Sequence, residues 1–206
     1  ELKHGMGSNK QRRICMSIPG VALMHDFVLT KNYLVFSWIK SEVYPLGGLK
    51  ALLGLGPFAG ALKIPEDSEA RLLVLPRSLF DLCEDDAVEV DEAGDIVIDP
   101  VSDDRVMNIP IPFFFNFHFG NAYEDPDEEK LVLDMVRSKA EDFDFGISTI
   151  KGPNEHLWET IPIDEIECAD MARYTFNLET QQLEDEPVVL CTQNPEFPSI
   201  PKDLST

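Results

Sequence analysis

VALMHDFVLTKNYLVFSWI, residues 21–39, is the stretch that sets the fold class. It contains two short runs rich in β-branched and aromatic residues, 21–30 and 33–39, which are joined by Lys31 and Asn32. Runs of this composition that are separated by a two-residue turn are typical of a β-hairpin. The stretch therefore predicts a pair of antiparallel strands.

Short runs of the same composition recur along the rest of the chain. The further segments are RLLVLP (71–76), two alternating runs within 88–99, IPFFFNFHF (111–119), LVLDMV (131–136), MARYTFNL (171–178) and PVVLCT (187–192). Many short strands without helical periodicity are typical of an all-β sandwich, barrel or propeller. With 206 residues, of which 44% are hydrophobic and 27% charged, the chain is long enough to bury a core.

Acidic residues dominate the charge of the chain. There are 38 Asp+Glu against 17 Lys+Arg, which gives a formal net charge of −21. Such a surface repels phosphate backbones, so we expect no nucleic acid among the partners. Eleven of the acidic residues fall in 81–104, which we interpret as a solvated hairpin insertion. The four cysteines form no CxxC pair, and a reducing compartment fits them better than a disulfide framework does.

Residues 46–62 (LGGLKALLGLGPFAGAL) are apolar and rich in glycine. They are too short and too interrupted to span a bilayer, which takes about 20 apolar residues. Two interpretations stay open: a buried loop or helical turn, or a patch that makes peripheral contact with a membrane or covers the mouth of an apolar tunnel. The chain begins at Glu1 without a visible signal peptide. We expect a piece of a longer intracellular protein, cytoplasmic or plastid.

Four histidines are present: His4, His25, His118 and His156. His25 and His118 fall in apolar strands, where we expect them to be buried, and a buried imidazole needs partners for both ring nitrogens. A metal on one nitrogen and a carboxylate or carbonyl on the other would supply them, and so would two ordinary hydrogen bonds. We interpret His4 and His156, in polar segments, as structural or surface residues.

Five segments resemble the carotenoid oxygenase family, which includes the carotenoid cleavage dioxygenases, the lignostilbene dioxygenases and the isomerohydrolase of the retinal pigment epithelium. MHDFVLTKNYLVF (24–36) resembles a signature in which His is followed by Phe, Thr and Tyr. FHFGNAYED (117–125) resembles a second signature, His-x-x-Asn-Ala-Tyr-Glu. Residues 71–77, 172–178 and 196–200 resemble further family segments in the same order. The resemblance covers nearly the whole chain.

The resemblance implies that the chain is part of a seven-bladed β-propeller, with residues 1–206 forming the central portion of one domain and the N- and C-terminal blades missing. At roughly 40–50 residues a blade, about four to five blades are expected here. Family members hold Fe(2+) on the propeller axis with four histidines from inner strands. His25 and His118 match two of these ligands, and Glu196 matches a glutamate that orients His118. The other two ligands would lie outside this chain, so we expect the piece to be inactive alone.

The function implied by the resemblance is that of an iron(II)-dependent dioxygenase. Its substrate would be a carotenoid or apocarotenoid, in which dioxygen cleaves a conjugated double bond. Two alternatives stay open. One is stilbene cleavage or retinoid isomerohydrolase activity on the same fold. The other is a non-catalytic acidic β-propeller that binds a protein or lipid and has lost its metal.

The substrate-binding residues are not assigned by these motifs. On an ideal strand Phe114 shares a face with His118. This alternation predicts that Phe114 lines a substrate tunnel, whereas the remaining phenylalanines of the segment pack in the blade core: Phe113, Phe115, Phe117 and Phe119.

Overall fold

The computed structural model describes residues 13–18, 21–55, 61–63, 69–81, 92, 95–125, 127, 129–138, 169–193, 195 and 198. Within these ranges the chain forms thirteen β-strands, one α-helix and one 3-10 helix, Arg77–Asp81. The strands are β1 (Ile14–Met16), β2 (Val21–Leu23), β3 (Phe27–Leu29), β4 (Tyr33–Val43), β5 (Leu62–Lys63), β6 (Ala70–Pro76), β7 (Ile96–Ile98), β8 (Met107–Ile111), β9 (Phe115–Asp125), β10 (Lys130–Ser138), β11 (Asp170–Asn177), β12 (Gln182–Leu183) and β13 (Val188–Cys191). The prediction of an all-β chain is confirmed.

Two multi-stranded sheets carry most of the structure. The first has the order β2-β4-β6-β8, with β3 and β5 also paired with β4, and all its pairings are antiparallel. The second has the order β12-β11-β10-β9, with β13 also paired with β11, and it too is antiparallel. The hairpin predicted in residues 21–39 is confirmed as β3 and β4. β2 and β3 lie at one end of the first sheet, and β9 lies at one end of the second.

The second of the two alternating runs predicted in 88–99 is confirmed as β7. Among the described residues its partner is β1, in parallel. The first run lies outside the described residues. The described part of the chain thus holds two large sheets and one two-stranded sheet, and the first large sheet extends from Val21 to Ile111. The number of blades in the chain stays a prediction.

Residues 46–62 include the α-helix, α1 (Pro45–Leu52). Pro45 stands at the first helical position, where a missing N–H costs nothing. The helix ends at Leu52, and Gly54 after it has a φ of 69° that suits glycine. The Leu55 N–H donates to the Lys50 carbonyl at 2.8 Å. A helical turn is therefore present in this stretch; none of its helical residues is buried, whereas Ala61 further along is fully buried.

The main core lies between the two large sheets. Its fully buried members include Leu72 and Ile109 from the first sheet and Leu133 and Tyr174 from the second. A second cluster covers the opposite face of the first sheet, where Leu73 packs with residues of β7. Because β6 is covered on both faces, its sequence RLLVLP shows a continuous apolar run rather than alternation.

Candidate metal centre

His25 lies at an irregularity in the end strand of the first sheet. Leu23 of β2 pairs with Ile39 of β4, and Phe27 of β3 pairs with Phe36. Four steps along the end strand (23 to 27) therefore face three along β4 (39 to 36). The one extra residue interrupts the strand at 24–26, as a β-bulge does. This interruption turns the His25 side chain away from the ladder.

His118 lies at a similar irregularity in β9, the end strand of the second sheet. The pairing of β9 with β10 shifts register between Asp134 and Met135, and again between Met135 and Arg137. Asn116 is buried there and bonds to Ser37 Oγ of β4 at 2.9 Å. With its amide nitrogen facing the carbonyls, it donates to His118 O at 2.7 Å. Asn116 thus satisfies a backbone group beside the bulge and ties the two sheets together.

The two histidines meet where these strands lie side by side. Their ring centroids are 5.2 Å apart, and the ring planes cross at 84°. His25 Nδ1 is 2.9 Å from the carbonyl oxygen of Phe117. Because a carbonyl only accepts, the proton of a neutral His25 is on Nδ1, which leaves the Nε2 lone pair available to a metal. The two residues predicted as ligands are therefore close together, and His25 is held in a tautomer that suits ligation.

Asp26 joins the same two strands next to His25. Its Oδ1 accepts from Phe27 N–H at 2.8 Å, and its Oδ2 accepts from Phe119 N–H at 3.0 Å. The carboxylate stands 3.9 Å from His118 Nδ1, which is too far for a hydrogen bond. Asp26 therefore acts as a clip between β3 and β9. The sequence motifs predict no role for Asp26, although an acidic residue next to a candidate ligand is a signal for such a contact.

An open cleft of about 370 Å³ lies at the histidine pair, lined by His25, Asp26, His118, Phe119 and Pro198. His25 is exposed and His118 is partly buried, so the expectation that both are buried is wrong for His25. The reason is that residues 24–26 leave the sheet at the bulge. Within the described part of the chain no group of three or more histidine, cysteine or acidic side chains is arranged for a metal.

The other predicted site residues have different outcomes. Glu196, His4 and His156 lie outside the described residues, so their roles stay predictions. Phe114 is buried and stacks on Tyr174, with centroids 5.5 Å apart, and it belongs to the core. Phe117 instead contacts the His25 ring edge-on at 5.4 Å. The prediction for Phe114 was wrong because the bulges in β9 break the alternation on which it rested.

The chain is similar to known proteins in sequence and in fold. Over 120 residues the chain is 28% identical to apocarotenoid-15,15'-oxygenase of Synechocystis sp., which corresponds to 58% of this chain and 19% of that protein. Among solved structures, cobalt-substituted Synechocystis ACO matches with a TM-score of 0.58 and 20% identity, and an ACO/RPE65 chimera with 0.58 and 21%. Each match covers 89% of this chain and 30% of the other.

The chain therefore spans about a fifth of the curated relative and less than a third of the solved structures. Its fold is part of a seven-bladed β-propeller that these residues do not close. A family model described as RPE65, the retinal pigment epithelial membrane protein, matches residues 2–206. Since that match covers almost the whole sequence, the chain belongs to the RPE65 family of carotenoid oxygenases.

Proposed function

We propose that the intact protein containing this chain is a non-heme iron(II) oxygenase that cleaves a conjugated double bond of a carotenoid or apocarotenoid. The observation that carries the proposal is the meeting of His25 and His118 across two sheet ends, with the tautomer of His25 fixed by the Phe117 carbonyl. The similarity to a protein named apocarotenoid-15,15'-oxygenase supports the substrate class.

The donor set fits a ferrous ion. Metal–nitrogen bonds are about 2 Å long, so two imidazoles on one ion have centroids about 4.5 to 6.5 Å apart. The observed 5.2 Å lies in that range. Imidazole suits iron, and both oxygens of Asp26 already accept backbone N–H groups, which argues against Asp26 as a third ligand. Iron(II), when bound, supplies the redox chemistry with dioxygen that side chains lack.

The side chains around the histidines have roles that follow from their contacts. Phe117 packs edge-on against His25, and Phe119 and Pro198 line the cleft, so apolar surface adjoins the candidate ligands. Such surface excludes water and suits a long polyene.

We assign Glu196 the role of accepting the Nδ1–H of His118; in support, Pro198, two positions further on, lines the cleft beside that ring. A Glu196→Gln change should lower activity about 10–100-fold.

The decisive experiment compares histidine variants of the intact protein. His25→Ala and His118→Ala should each lose bound iron, measured by elemental analysis, and lose cleavage of an apocarotenoid under dioxygen, measured by chromatography of the products. His156→Ala serves as the matched control and should retain both. Wild-type levels of iron in His118→Ala would contradict the assignment. Turnover of a stilbene or a retinyl ester in place of the apocarotenoid would favour the other activities of this fold.

We also propose that α1 and the residues after it make peripheral contact with a membrane. Five leucines there are at least half exposed: Leu46, Leu49, Leu52, Leu53 and Leu55. Exposed apolar residues clustered on a short helix and in the turn after it are typical of such contacts. None of the described helices is long and apolar enough to cross a bilayer.

Vesicle binding tests the membrane contact. Leu52→Glu combined with Leu55→Glu should reduce co-sedimentation of the intact protein with phosphatidylcholine vesicles. Val101→Glu is the control, since Val101 is an exposed apolar residue in a turn far along the chain from α1. Unchanged co-sedimentation of the leucine variant would contradict the contact.

A further inference from the structure

Glu124, at the far end of the second signature segment, holds the turn that follows β3. Its Oε1 accepts from Thr30 Oγ1 at 2.5 Å and from Asn32 N–H at 2.7 Å, and its Oε2 accepts from Asn32 Nδ2 at 2.6 Å. The acceptor and its donors are more than 90 residues apart in sequence. Three hydrogen bonds to one carboxylate make this a strong contact between the two sheets.

The turn that Glu124 binds is itself held by several hydrogen bonds. Thr30 N–H bonds to the Tyr33 carbonyl at 2.9 Å, and Tyr33 N–H bonds to Thr30 Oγ1 at 3.1 Å. Arg77 adds bonds to the same turn, including its N–H to the Asn32 carbonyl at 2.7 Å. A carboxylate that binds a turn braced in this way fixes the position of the whole β3 strand.

This contact and the Asp26 clip lie at opposite ends of β3. At one end Asp26 bonds to Phe119 of β9, and at the other end the turn at Thr30 bonds to Glu124 of β9. The two strands run in the same direction, yet among the described residues they share no ladder of backbone hydrogen bonds. Side-chain contacts, these two among them, therefore set their lengthwise alignment. A slip of one residue, about 3.3 Å, would break both.

We propose that Glu124 is a positioning residue for the metal centre. It fixes the offset of β3 against β9 and thereby the separation of His25 and His118, although it lies six residues beyond His118. This inference rests on the proposed function, since it assumes that the two histidines bind one ion. Burial, and after it the charge of Glu124, raises the pKa of Tyr33, which agrees with a carboxylate held close to the turn.

The test is an exchange of hydrogen-bond polarity in the intact protein. Glu124→Gln removes the charge and replaces one acceptor oxygen with an NH₂ group, and Asn32→Asp places two carboxylates face to face. The double variant Asn32→Asp/Glu124→Gln restores a donor opposite an acceptor. We expect each single change to weaken Co²⁺ binding about 10–100-fold and to alter the visible spectrum of the bound Co²⁺. The double variant should recover both properties.

A control and a second measurement separate this role from simple stabilisation. Glu184→Gln removes an ion pair with Lys130 in the second sheet and should leave the Co²⁺ spectrum unchanged. If the single variants unfold at a lower temperature but keep the wild-type Co²⁺ affinity and spectrum, Glu124 stabilises the turn and does not position the metal centre.

Hydrogen exchange at the Phe119 amide tests the alignment without any metal. Glu124→Gln should speed this exchange about tenfold, because the Asp26 clip loosens when the other end of β3 is released. The double variant should reverse the change. If wild-type protein fails to bind Co²⁺ while this exchange pattern holds, the metal proposal fails and the alignment role stands. Unchanged exchange in Glu124→Gln overturns the alignment role.

Discussion

β3 and β9 each present one candidate ligand, but the two strands are held in different ways. β9 has eleven residues and pairs with β10 along most of its length, and Phe115 and Phe119 in it are buried. β3 has three residues, of which Phe27 and Leu29 are more than half exposed. His118 is thus positioned by a backbone ladder and a core. His25 is positioned by a short strand and side-chain contacts, so the site combines a stiff half with an adjustable half.

The largest expected loss of stability comes from a change in the second sheet, which holds His118. Leu133 of β10 is fully buried behind β9, so Leu133→Ala should lower the free energy of unfolding by about 3 kcal/mol through lost contacts and a cavity. Leu29→Ala in β3 should cost about 1 kcal/mol or less, since Leu29 is 55% exposed in the described part. Urea unfolding of the intact variants gives both values. Equal losses would contradict the contrast between the strands.

A smaller effect is expected from removing a side-chain contact that positions His25. Asp26→Ala leaves the N–H of Phe119 without its acceptor, which should cost about 1–2 kcal/mol in stability. It should also lower iron affinity about 10–100-fold, because β3 loses its contact beside His25. Elemental analysis after dialysis against a weak chelator measures the affinity. Asp26→Asn keeps one acceptor oxygen and should lie between Asp26→Ala and the wild type.

The smallest effect concerns alkaline pH and the second sheet. Burial raises the pKa of Tyr174 above its ordinary value near 10, and the hydrogen bond from Arg137 opposes this shift. A raised pKa favours the neutral phenol in the folded state. Its contribution to stability is therefore complete below about pH 10 and is lost as the pH rises through the folded-state pKa.

Tyr174→Phe removes this titration. The free energy of unfolding should fall less steeply above pH 10 in the variant than in the wild type, as measured by urea unfolding at several pH values. A slope identical to that of the wild type would show that Tyr174 does not titrate differently in the folded and unfolded states.

Local sequence pattern predicted the strands well, because alternation and turn chemistry are local. The hairpin at 21–39 and the strand at β6 follow from composition alone, and the two histidines were identified by the motifs around them. α1 also carries local signals, Pro45 at its start and Gly54 after its end, which the apolar composition of the segment concealed.

The remaining features depend on partners far along the chain. The bulges in β9 exist only relative to β10. The sequence of 111–119 alone therefore cannot predict that Phe117 contacts His25 or that Phe114 is buried in the core. The parallel partner of β7 is β1, about 80 residues earlier, and no local signal names it. The contact between Glu124 and Thr30 likewise needs the two sheets in place.

The bulges also set which changes in length the protein tolerates. The connection between β4 and β9 can lengthen or shorten at its surface loops, since closing a longer loop costs little free energy. A single codon inserted into or deleted from 24–26 or 117–120 would instead reverse which side every later residue of that strand faces. Natural length variation should therefore collect in the loops and be absent from these two short stretches.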